Sequence, residues 1–102
     1  MIITLYDHLK FIMRTVHLVI KGKVQGVFYR ASAKDRAEDL GITGWVKNTR
    51  EGFVETVASG DDKAVQQFIE WCKKGPSNAR VDDVVVTEQS PEQLNGFTIK
   101  RD

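Results

Sequence analysis

Val16-His17-Leu18-Val19-Ile20-Lys21-Gly22-Lys23-Val24-Gln25-Gly26-Val27-Phe28-Tyr29-Arg30-Ala31 is the stretch on which the architecture of this chain turns. Val16, Leu18 and Ile20 alternate with His17, Val19 and Lys21, the period of a strand with one face in a core. From Phe28 onward the period changes. Tyr29, Ala33, Ala37 and Leu40 recur at helical spacing on one stripe, while Lys34, Asp35, Arg36, Glu38 and Asp39 lie off it, and Gly41 supplies a left-handed stop. Residues 22 to 28 are therefore a tight strand-to-helix turn. Gly22 and Gly26 let it bend, and the first helical amides have no intrahelical partner, so the turn is a concave anion site beside the guanidinium of Arg30. These residues point to a small phosphorylated ligand. They are not a Walker loop, because three residues rather than four separate the glycines and Val27 follows Gly26; Gly-x-Gly-x-x-Gly is also absent. Taken alone, a glycine-rich turn and a solvated arginine also suit an ordinary connection.

Outward from this turn the chain continues in the same grammar. Ile42 to Lys47 reads as a second strand and Phe53 to Ser59 as a third, joined by a hairpin loop of Asn48-Thr49-Arg50-Glu51-Gly52 and therefore antiparallel. Asp61 is an N-cap for a second helix whose apolar stripe is Ala64, Val65, Phe68, Ile69 and Cys72, with Trp71 at its edge. Lys73, Lys74, Gly75 and Pro76 end that helix. Val81 to Glu88 is a fourth strand, and Phe97 to Lys100 a short fifth after a turn-rich segment. The order β-α-β-β-α-β plus a terminal strand predicts an α+β, ferredoxin-like split βαβ fold, an antiparallel sheet with two helices on one face.

Composition narrows the function. The 102 residues make one domain large enough for its own core, and 15 basic against 14 acidic side chains give a net charge of +1, so neither a nucleic-acid footprint nor a membrane anchor is expected. One cysteine, Cys72, excludes an internal disulfide, and it falls on the core stripe as a packed thiol. The two histidines lack metal-ligand spacing, and His17 reads as a surface residue. A metal-free, cofactor-free, monomeric protein of the reducing cytoplasm is the expectation. Residues 1–13 are mixed, with Asp7, His8 and Lys10 among apolar neighbours, which is neither a secretory segment nor a membrane span. This extension, set apart from a domain at 14–102, reads as a loose tail, an added edge strand or a stretch foreign to the natural protein, with Met13 an internal start.

The run Val24-Gln25-Gly26-Val27-Phe28-Tyr29-Arg30, followed eighteen residues after Arg30 by the asparagine of Gly44-Trp45-Val46-Lys47-Asn48-Thr49-Arg50-Glu51-Gly52-Phe53-Val54, resembles both signature motifs of the acylphosphatases, in the right order. The likeness continues through Gly60 and Gly75-Pro76-Ser77-Asn78-Ala79-Arg80-Val81, covering roughly residues 15 to 101. It implies hydrolysis of the carboxyl–phosphate bond of small acyl phosphates to carboxylate and inorganic phosphate, an anion that could itself occupy the site. In that family the arginine of the first motif binds phosphate, turn amides wrap its oxygens and the asparagine of the second motif holds the attacking water. These roles fall on Arg30, on the backbone of Gln25, Gly26, Val27, Phe28, Tyr29 and Arg30, and on Asn48. Phe28 departs from the pattern, standing where the family usually has a small residue, often glycine. Lys23 and Lys47 are candidates for drawing an anion in.

Two other classes share the fold. RNA-recognition domains place aromatics on the first and third strands, but the first strand here has none and the third offers Phe53, Glu55 and Val57 on one face, with Glu55 repelling phosphate. A small-molecule regulatory domain is the other, and such domains usually act within larger chains or oligomers.

Overall fold

A computed structural model describes residues 12–101. The expected N-terminal extension lies outside these residues apart from Ile12 and Met13, and Met13 already pairs with Asp61. The elements run β1 (Met13–Lys23), α1 (Tyr29–Asp39), β2 (Thr43–Asn48), β3 (Val54–Asp61), α2 (Asp62–Lys74), β4 (Arg80–Gln89) and β5 (Phe97–Ile99). The sheet order is β4-β1-β3-β2-β5. Four strands pair antiparallel, whereas β5 joins β2 in parallel, Gly44 opposite Phe97 and Val46 opposite Ile99, so the sheet is mixed.

The parallel edge has a physical cause. β4 ends beside the start of β1, Thr15 opposite Gln89, so the chain must cross to the far edge at that end before β5 can begin. The Thr15 hydroxyl accepts from the Glu92 amide at 2.9 Å, and the Ser59 hydroxyl donates to the Glu92 carbonyl, pinning the crossing segment over β1 and β3. Having crossed, the chain runs along β2 in its own direction. Lys100 N then donates to the Val46 carbonyl at 2.9 Å, which brings the C-terminal residues to the end of β2 that carries Asn48.

One sheet face is the core. Val16, Leu18 and Ile20 of β1, Val54 and Ala58 of β3 and Val46 of β2 pack against Tyr29, Ala33 and Ala37 of α1 and Val65, Phe68, Ile69 and Cys72 of α2. Each fully buried aliphatic side chain of this kind contributes about 1.5–3 kcal/mol. The alternation in β1 and both helical stripes are those expected from the sequence. Asp61 caps α2, its carboxylate accepting from Lys63 N at 3.2 Å. Trp71 covers the stripe's edge, 5.4 Å from the Tyr29 ring and 6.3 Å from Phe68 between centroids. On the opposite face Glu55 is paired, 2.6 Å from His17 Nε2 and 3.7 Å from Lys47 Nζ, which gives the lone histidine of β1 a partner the sequence did not reveal. Among the described residues no helix is long and apolar enough to cross a membrane.

Candidate active site

The turn between β1 and α1 is shorter than expected. Gly22 belongs to β1, at an irregularity in its pairing with β4, and residues 24–28 alone connect strand to helix. Gly22 is required by close approach: a Cβ there would sit 2.1 Å from the Arg80 carbonyl oxygen, and its φ is +135°. Gly26 is required by conformation alone, with φ +74° and no atom within 4 Å of a Cβ. Phe28 also takes a left-handed conformation, φ 63° and ψ 25°, as the residue that opens α1. Left-handed residues in the turn before a helix aim backbone amides toward one concavity, the habit of an anion nest.

The first helical bond runs from Ser32 N to the Phe28 carbonyl at 3.0 Å. Among the described residues the amides of Gly26 to Ala31 are matched with no protein acceptor, so six backbone donors precede that bond. Arg30 stands in the first turn of α1, half-buried and without an ion pair among the described residues. It lines a concavity of about 390 Å³ together with Gly26, Phe28, Asn48, Ile99 and Arg101. The structure thus brings Arg30, the turn and Asn48 to one place, as their order in the sequence led us to expect.

Asn48 is the last residue of β2 rather than part of the hairpin loop. Its Oδ1 is the one buried side-chain oxygen or nitrogen among the described residues that lacks a hydrogen-bond partner. An unsatisfied buried acceptor costs about 1–3 kcal/mol. The loop after it is closed by Thr49 N to the Phe53 carbonyl at 2.9 Å and Phe53 N to Thr49 Oγ1 at 3.1 Å.

Gln25 has a use the sequence did not disclose. Its side-chain Nε2 donates to the carbonyls of Thr49 at 2.9 Å and Phe53 at 2.8 Å, fastening the turn to the hairpin that carries Asn48. Tyr29, adjoining Arg30, is anchored in the core by donating its hydroxyl to the Cys72 carbonyl at 2.7 Å; burial raises its pKa, with Cys72 adding to the rise. The start of α1 is therefore tied to both α2 and the hairpin.

The cations nearest the site are not those expected. Lys47 is paired with Glu55 on the open sheet face and sits over the Trp45 ring, 5.9 Å from its centroid; Lys23 lies exposed at the end of β1. A second concavity of about 310 Å³ instead adjoins the first, lined by Arg30, Asn48, Thr49, Arg50, Lys100 and Arg101. Arg50 stood two residues from Asn48 in the sequence, but Lys100 and Arg101 become neighbours only through the parallel pairing of β5.

A sequence model of one family, Acylphosphatase, matches residues 16–99. A relative named acylphosphatase from Haloquadratum walsbyi is 48% identical over 85 residues, covering 83% of this chain and 91% of that protein. Another of that name, from Methylococcus capsulatus, is 45% identical over 91 residues, covering 88% and 99%. The solved structure of an acylphosphatase from Coxiella burnetii superposes with a TM-score of 0.83 at 40% identity, covering 86% of this chain and 93% of that one. Sequence and fold agree across the turn, the hairpin and the terminal strand that together enclose the concavity, and the chain belongs to the acylphosphatase family, an enzyme of acyl phosphate hydrolysis.

Proposed function

We propose that Arg30 and the amides from Gln25 to Arg30 hold the phosphate of a small acyl phosphate while Asn48 orients the water that attacks it. The observation that carries this is the meeting of Asn48, Arg30 and the free amides of the turn on one concavity. A water held by the Asn48 carboxamide presents a lone pair to phosphorus. The new P–O bond forms as the bond to the acyl oxygen breaks, the electron pair leaves on a carboxylate and the water's proton passes to phosphate. Carboxylate is a good leaving group, so no covalent intermediate and no metal or other cofactor enters the scheme. Positioning and stabilisation of charge on the equatorial oxygens supply the rate. The same reading has the enzyme act as a monomer in the cytoplasm.

Losing one well-placed charge-stabilising donor costs about a hundred- to a thousandfold in rate. Arg30→Ala and Asn48→Ala are each expected to lower kcat/KM for benzoyl phosphate by at least that much while the circular dichroism spectrum stays unchanged. Turnover by the parent protein should persist in excess chelator and be inhibited competitively by inorganic phosphate. Near-normal rates in either folded variant would remove these residues from the mechanism, and loss of activity in chelator would remove the metal-free scheme.

A further inference from the structure

The second concavity is continuous in its lining with the first. They share Arg30, Asn48 and Arg101, while Thr49, Arg50 and Lys100 belong to the second alone. Four of its six lining residues are cationic and none is acidic. Among the described residues neither Arg50 nor Arg101 has an ion pair or a side-chain hydrogen bond to the protein. Lys100 is held by Trp45, its Nζ 4.3 Å above the ring centroid, and adds fixed charge nearby. A phosphate needs one guanidinium and the amide nest, and the larger concavity already supplies both. The remaining positive charge is in excess of what that anion requires, and it is costly: like charges gathered on one rim repel one another.

Resting on the reading of Arg30 and Asn48 given above, we infer that Arg50 and Arg101 form a second anion subsite, and that the preferred substrate is an acyl phosphate whose acyl chain carries its own carboxylate or phosphate. With the phosphate in the turn, the leaving acyl group must extend out of the larger concavity, and the cationic one is its immediate neighbour. A planar guanidinium pairs with a carboxylate or a phosphate through two parallel hydrogen bonds, so both anions belong to the same recognition chemistry. Arg50 lines the cationic concavity alone, so its contact reaches the leaving group, while Arg101 stands where the two concavities meet. The pair therefore tunes choice among acyl phosphates chiefly through the leaving group.

The test compares butyryl phosphate, a neutral four-carbon acyl group, with succinyl phosphate, its carboxylate-bearing counterpart, and with 3-phosphonopropionyl phosphate. An exposed charge pair is worth up to about 1 kcal/mol, roughly fivefold, and two acting together give a preference of about tenfold or more in kcat/KM for an anionic acyl group at low salt. Added potassium chloride should shrink this ratio. Arg50→Gln and Arg101→Gln should each lower it, and the double variant should bring it near one. Succinyl against phosphonopropionyl phosphate distinguishes which anion is preferred. A fall in all three substrates that leaves the ratio intact would mean a structural role only, and a parent ratio near one would overturn the subsite. Turnover of butyryl phosphate that is lost with Asn48→Ala, together with no preference, would sink the subsite and spare the reading of Arg30 and Asn48. Absence of turnover on all three would overturn both.

Discussion

Phe28 is where one residue's chemistry most visibly works against its place in the fold. An aromatic side chain in the left-handed region costs roughly 1–2 kcal/mol, because Cβ crowds the following carbonyl. Phe28 is 79% exposed at the lip of the larger concavity, so little burial offsets that cost. Glycine removes the crowding but loses more chain entropy, about 0.5–1 kcal/mol. Phe28→Gly is accordingly expected to gain up to about 1 kcal/mol, read as a higher midpoint in urea with an unchanged slope. If the phenyl ring contacts the acyl group, the same variant lowers kcat/KM for benzoyl phosphate relative to acetyl phosphate by about two- to tenfold, the worth of an aromatic pair. Equal ratios in the two proteins would show that the ring only packs outward. The departure at residue 28 was legible in the sequence, but its left-handed backbone was not, since nothing about phenylalanine announces a positive φ.

Two elements, the turn and the β2–β3 hairpin, meet through one carboxamide. Gln25 reaches carbonyls that have other donors, Thr49 O from Gly52 N at 3.2 Å and Phe53 O from Thr49 N, so removing it orphans neither. Gln25→Ala should then cost only about 1–2 kcal/mol of stability, two ordinary hydrogen bonds. Its effect on rate is expected to be larger, because a displacement of about 1 Å at the attacking group can cost a hundredfold. As a positioning residue it should lower kcat by about tenfold or more and leave inhibition by inorganic phosphate nearly unchanged, the water-holding side being disturbed and the anion nest kept. A variant less stable yet fully active would reduce Gln25 to a structural tie. The sequence put Gln25 in the cradle by motif, but its side-chain partners are twenty-four and twenty-eight residues away and carbonyl acceptors leave no mark in sequence.

At the scale of the whole molecule, long-range ties join sheet and helices around the core. Arg14 of β1 reaches Glu88 of β4 at 3.1 Å, and on α2 it reaches Gln66 at 2.9 Å and Asp62 at 3.5 Å. Its hydrogen bond holds the Glu88 carboxyl below the usual carboxylate range, a contribution present at neutral pH that fades in acid. Beneath the site, burial pushes the Cys72 thiol from near 9 up to about 12, and Tyr29 is raised as well. Above pH 9 the unfolded chain gives up these protons first, so stability should fall as pH rises from about 9 toward 12. Cys72→Ala should flatten part of that slope in denaturation midpoints, and native Cys72 should resist a thiol reagent at pH 8; rapid labelling there would contradict a sealed core. By itself the sequence determined the element order, the faces of β1 and both helices, the cap at Asp61 and the two motifs, because periodicity, caps and turn residues act over a few neighbours. Only the tertiary structure decided that Lys100 and Arg101 stand beside Asn48, that Glu55 meets His17 and Lys47, and that the fifth strand runs parallel. The first and last depend on which strand end a crossing chain must reach, and the second on the register of β3 between β1 and β2, constraints of the assembled sheet that no local pattern encodes.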